Sequence, residues 1–241
     1  MRRLIIAGLA LLTLGLLSQP AARADSSLQS VLFNVNGAMQ TDYAGFNTSA
    51  WNATTGIGTL TYLFNPGAAG TYNFTAFFDN QLVKEHYFNE FGSASGSLAP
   101  GQSWEIGDSF ASTIYNDAYH GTLNYANMLP GQTSNYFLDC QRASCNGDAA
   151  LAMGFHFLLG AGQKALITLT FSTSAPGSGF FLTQTHPVDP ENPSTSSIYF
   201  SGSEVTQPVV GAPEPGSLLL LGISLAGLWL LKGRKLVSRA I

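Results

Sequence analysis

Apolar side chains in the middle of this chain recur at every second position. Leu151, Met153, Phe155, Phe157 and Leu159 fall on one side of an extended segment, and after Gly160-Ala161-Gly162 so do Ala165, Ile167, Leu169 and Phe171. Side chains alternate between the two faces of a strand, so each run predicts a strand with one buried side. The glycine turn between them predicts a β-hairpin, with His156 facing away from Phe155 and Phe157. Residues 57–64 and 71–78 repeat the pattern around Asn65-Pro66-Gly67-Ala68-Ala69-Gly70, which predicts a second hairpin. Further strands are expected at 31–35, 82–88, 110–115, 180–185 and 197–205. Capped helical periodicity is confined to the two ends of the chain, while Thr, Phe, Tyr, Val, Ile and Gly dominate between them. Roughly eight to ten strands predict an all-β fold, a single antiparallel two-sheet β-sandwich with Ig-like or jelly-roll connectivity.

Both ends depart from this pattern. Met1-Arg2-Arg3 is basic, residues 4–17 are apolar, and Ala22-Arg23-Ala24 is a small-x-small site. That order is the pattern of a signal peptide over 1–24, cleaved after Ala24 so that Asp25 begins the mature chain; the Sec translocon and signal peptidase are the partners it requires. At the other end, residues 218–231 carry no charge and are interrupted by Gly222, Ser224 and Gly227. As a helix this stretch reaches ~21 Å against a hydrocarbon core of ~30 Å, short for a permanent span. Recruiting neighbouring residues or thinning the bilayer makes it adequate. Lys232, Arg234, Lys235 and Arg239 follow it and hold the C-terminus in the cytoplasm, leaving everything before the run outside.

Pro213-Glu214-Pro215, the apolar run beginning at Ser217 and the cluster Lys232-Gly233-Arg234-Lys235 together resemble the PEP-CTERM sorting signal. The resemblance implies a partner, the membrane protease-transpeptidase exosortase. It also implies removal of the signal near the Pro-Glu-Pro and delivery to the cell surface or extracellular matrix, so that the membrane anchor is transient. The alternative is an ordinary C-terminal anchor. The resulting plan is a signal peptide over 1–24, a β-sandwich ectodomain over 25–208 and a sorting signal over 209–241, with the motif at 213–215, a transmembrane helix at 217–231 and a basic tail at 232–241. Residues 160–205 also resemble the closing portion of the β-rich ectodomain common among PEP-CTERM proteins, a likeness that implies fold and no activity.

Charge is distributed unevenly. Between residues 25 and 210 only Lys84, Arg142 and Lys164 are basic against thirteen acids, a formal charge of −10, whereas the whole chain carries −4. Such a body repels nucleic acid and anionic lipid. Cys140 and Cys145 lie in one short segment of a chain bound for an oxidising compartment, so a local disulfide is expected there.

Familiar catalytic patterns are missing: the sequence has no Gly-x-Ser-x-Gly elbow, no His-Glu-x-x-His and no Cys-x-x-Cys. His120 and Asp117 share a loop without a nucleophile. Glu105 with Asp108, and Asp189 with Glu191, offer oxygen ligands to a hard cation such as Ca²⁺, but neither spacing is that of an EF-hand loop. The residues call for no cofactor, and a calcium site rests on charge alone. Trp51, Trp104, Tyr115, Tyr119, Tyr125 and Tyr136 fall at strand ends or in loops, where exposed rings stack on sugar faces and buried ones seal the core. The expectation is a non-catalytic surface or matrix protein associated with exopolysaccharide. The alternative is a secreted glycan hydrolase.

Overall fold

The computed structural model describes residues 26–83, 90–129, 147–187, 195–209 and 223–224 of the 241-residue chain. In chain order the elements are β1 (Ser27–Val35), β2 (Ala38–Gln40), β3 (Phe46–Asn52), β4 (Ile57–Phe64), β5 (Gly70–Gln81), β6 (Phe91–Ser95), β7 (Gln102–Asp108), α1 (Ile114–His120), β8 (Ala126–Asn127), β9 (Ala149–Leu159), β10 (Gln163–Ser172), β11 (Phe181–His186) and β12 (Ser196–Pro208). The first sheet has the order β2-β1-β5-β9-β7-β8 and the second β3-β4-β10-β12-β11-β6. Every pairing is antiparallel except the short contact between β7 and β8. The molecule is an all-β sandwich with one short helix.

The alternating residues fill the space between the sheets. Phe33, Phe74, Phe78, Met153 and Phe155 face inward from the first sheet, and Leu60, Ile167, Leu169, Phe171 and Phe200 from the second. Phe171 and Phe200 stack at 4.3 Å between centroids, and Phe78 meets Phe171 edge-on at 4.7 Å. Each buried ring contributes about 1.5–3 kcal/mol from its removal from water.

Neither expected hairpin forms. β9 lies between β5 and β7 in the first sheet, while β10 lies between β4 and β12 in the second. β4 and β5 are divided between the sheets in the same way. The turns at 160–162 and 65–69 therefore cross the sandwich instead of joining neighbours. Alternation records which side of a strand is buried, and that is satisfied as well by two strands facing each other across a core as by two lying side by side. At the first crossing Gly162 supplies a φ of +69°, and the Gln163 N–H donates to Gly160 O at 3.1 Å.

At 110–115, where the sequence predicts a strand, a turn leads into a helix that begins at Ile114. Asp108 Oδ1 accepts the N–H groups of Phe110 and Ala111 at 2.9 and 2.7 Å, turning the chain at the end of β7. α1 follows, and its Ile114 and Ala118, one turn apart, bury against Leu32, Phe77, Ala150 and Ala152 on the outer face of the first sheet. Those outward positions are apolar, so β5 is buried continuously from Phe74 to Gln81. Gly121 ends the helix with a left-handed φ of 70°. Of the strand expected at 82–88, only Leu82 and Val83 are described, and neither is in a strand.

Candidate functional site

Two polar regions stand out, one inside an end of the sandwich and one on its surface. At the end where β5 and β7 finish and β9 begins, the chain places Asp79, Glu90, Asp108 and Asp148, all buried. Asp108 Oδ2 accepts the Gly147 N–H at 2.7 Å, and Asp148 Oδ2 accepts the Ser109 hydroxyl at 2.7 Å. Glu90 receives the Leu82 N–H on Oε1 at 3.0 Å, and on Oε2 the Ala149 N–H at 3.2 Å and the Gln184 amide at 2.5 Å. Gln184 donates also to Asn80 O. These carboxyls tie loop backbone to strand ends.

Lys164 is the single lysine or arginine among the described residues, and it sits at the opposite end, across from Gln207. Burial favours the protonated form of Asp79, Glu90 and Asp148. Burial, reinforced by the charge of Asp148, pushes Asp79 up to about 7 against the hydrogen bond from Ser30. Burial lifts Asp148 to about 6, opposed by Ser109 and aided by Asp108, and it holds Glu90 well above the usual carboxylate range. Among the described residues no group of three or more His, Cys, Asp or Glu is arranged to hold a metal ion.

The second region is a cleft of about 220 Å³ on the outer face of the first sheet, beyond the C-terminal end of α1. Its polar wall is Asn36, Thr71, Asn73, Thr75, Ser103 and His156, and none of its lining residues is a carboxylate. Apart from Asn36, in the turn after β1, they are outward positions of β5, β7 and β9, alternating with the core rings Phe74 and Phe155. The side chains of Asn73, Thr75, Ser103 and His156 hydrogen-bond to no described residue. Asn34 Nδ2 donates to Tyr119 O at 2.8 Å and fixes the helix end against the sheet. Gly121 lines the cleft because it lacks a side chain: a Cβ there would stand 2.8 Å from Asn73 Nδ2. Tyr119 and Tyr125, 43 % and 56 % exposed, flank Gly121 in the chain. The Tyr125 N–H donates to Trp104 O at 2.9 Å, which sets that ring's backbone beside Ser103.

Glu105 and Asp108 do not converge. They occupy opposite faces of β7, with Glu105 buried on the helix side, where its Oε2 accepts the Asn124 N–H at 3.0 Å and burial pushes it up to about 7. His120 Nδ1 meets Asn116 O at 2.8 Å while Asp117 Oδ2 accepts from Asn124, so this His and Asp make separate contacts. Trp51 packs in the core against Phe78 and Phe171, and Trp104 packs on Phe180; both seal the sandwich. Tyr115 leans on Phe77 and keeps 43 % of its surface exposed. Asp189 and Glu191, Cys140 and Cys145, Tyr136, the cleavage residues Ala22, Ala24 and Asp25, and Pro213, Glu214 and Pro215 lie outside the described residues. Asp79, Glu90 and Asp148 carry no sequence signal as a group, because three separate strand ends bring them together. Asn73 and His156 are legible only as outward strand positions.

The body so described is a β-sandwich followed by a C-terminal segment of different character. Residues 212–235 match the PEP-CTERM protein-sorting motif. This C-terminal segment is similar to a sorting signal, which supports an exported, exosortase-targeted protein held by its C-terminal segment before processing. No curated protein and no solved structure matches it significantly.

Proposed function

We propose that the mature chain is a non-catalytic protein of the cell surface or extracellular matrix that adheres to neutral exopolysaccharide through the cleft beside α1. The observation that carries this reading is a set of four polar side chains, Asn73, Thr75, Ser103 and His156, that face the cleft without partners among the described residues. Sugar hydroxyls both donate and accept, as do amides, hydroxyls and imidazole. Tyr72 lines the cleft and Tyr119 and Tyr125, on either side of Gly121 in the chain, are exposed, so aromatic faces are available for stacking. A body with a formal charge of −10 between residues 25 and 210 favours an uncharged polymer over an anionic one. Glycan hydrolysis requires two carboxyls facing the substrate at set separations. Here the acids with raised pKa are buried and line no part of the cleft, which supports binding without turnover.

Calorimetric titration of the processed protein with a neutral glucan, a neutral galactan and anionic alginate tests the reading. The neutral polymers are expected to bind with submillimolar Kd, about 4 kcal/mol or more of binding free energy, and alginate to give no heat. Gly121→Ala, which puts a methyl against Asn73 and strains a left-handed residue, is expected to lower affinity at least about tenfold at a stability cost of ~1 kcal/mol. Silence with both neutral polymers, or release of reducing sugar from either, overturns the proposal.

A further inference from the structure

The outer face of the second sheet is a hydroxyl surface with one apolar row. Across β4, β10 and β12 the outward positions run Thr59–Thr170–Ser201, then Thr61–Thr168–Ser203, then Leu63–Leu166–Val205. Leu63 and Val205 are 49 % and 52 % exposed. On the opposite side of the sandwich at the same end, Leu158 is 72 % exposed opposite Thr71. Val209 is exposed as well, and its N–H donates to Gly162 O at 2.6 Å, which pins the exit of the chain to the turn between β9 and β10. Exposed aliphatic side chains thus ring the end from which the C-terminal segment leaves.

We infer that this end rests on the bilayer interface while the precursor is anchored, with Leu63, Leu158, Val205 and Val209 in the lipid headgroup layer. From Val209 to Ser217, where the apolar run starts, there are eight residues, which span at most ~28 Å fully extended. β12 alone, with thirteen residues, is ~43 Å long. The tether therefore holds the Val209 end at the membrane and is too short to exchange it for the far end. Lys164, the single lysine or arginine among the described residues, lies at the tethered end, so the repulsion between this acidic body and anionic lipid is reduced there. Aliphatic residues at the interface gain by leaving water, and a covalent anchor adds to that gain by raising the local concentration of lipid.

Hydroxyl-radical footprinting reads these side chains without substitution. The uncleaved full chain is reconstituted in vesicles of phosphatidylethanolamine and phosphatidylglycerol and compared with the same preparation after proteolytic release between Val209 and Pro213. Oxidation of Leu63, Leu158 and Val205 is expected to be at least about threefold lower in the anchored form, with Phe110 and Tyr125 unchanged. Equal oxidation before and after release overturns the inference, as does protection of Phe110 to the same degree. Protection that survives release and grows with protein concentration assigns the row to a second copy of the chain and overturns it too. None of these outcomes depends on glycan binding.

Discussion

The two ends of this sandwich handle unfavourable surface in opposite ways. Where β5 and β7 finish, Asp79, Glu90, Asp108 and Asp148 are taken out of water with no lysine or arginine beside them among the described residues. Backbone N–H donors hold Asp108 and Glu90, and burial favours the protonated form of Asp79, Glu90 and Asp148. Where β12 finishes, Leu63, Leu158 and Val205 are left in water. Burying a charged group without a partner costs several kcal/mol, whereas exposing a leucine costs about 1–2. The first arrangement persists only if the carboxyls hold the surrounding backbone together. The second is tolerated cheaply and is open to use as a contact.

The largest expected effect belongs to the acidic end. Glu90→Ala leaves the Leu82 and Ala149 N–H groups and the Gln184 amide without their acceptor and should lower unfolding free energy by about 3–5 kcal/mol, measured by urea denaturation. Glu90→Gln keeps two acceptor lone pairs and the volume, and should cost no more than ~2 kcal/mol. If both cost the same, the carboxyl's acceptor role is refuted.

Next comes the pH dependence. An unfolded chain sheds the Asp79 and Asp148 protons near 3.8, but the folded one holds them to about 7 and about 6. Between those limits the folded state binds more protons, so this contribution is complete below about pH 4 and is lost as pH rises toward 7, by up to several kcal/mol. Thermal melts across pH 4–8 should show the decline, and Asp79→Asn should flatten its upper range. A melt that rises steadily over that window would contradict the proton-based account of this end.

The smallest effect lies at the other end. Leu63→Glu and Val205→Glu should each shift unfolding free energy by no more than about 0.5 kcal/mol in the released protein, since neither side chain is buried. A loss of 2 kcal/mol or more from either would show that the row supports the fold itself, and the contrast between the ends would vanish.

Period-two alternation made the core readable: Leu151 to Leu159 and Ala165 to Phe171 occupy the inward positions that their spacing dictates. Which strands pair was not readable, because an apolar face has no label for the neighbour it meets, and both presumed hairpins proved to be crossings between sheets. α1 escaped notice for a related reason. Its seven residues bury only Ile114 and Ala118, and what holds them, Leu32, Phe77, Ala150 and Ala152, comes from three other strands. Asp79 follows Phe77 and Phe78, where a polar residue ordinarily marks a strand leaving the core; the loops that cover it are distant in sequence. The sorting motif, by contrast, is contiguous, and order along the chain is all that its recognition needs.

Placing the anchored segment directly after β12 also has a mechanical side. β12 is hydrogen-bonded to β10 along one edge and to β11 along the other. Tension drawn through Pro208 runs parallel to that strand, so the bonds to β10 along 199–208 bear the load together in shear and do not unzip in succession, with β11 taking up the remainder at 196–201. A body tethered by its tail is thereby held along a strand that has a neighbour at every position.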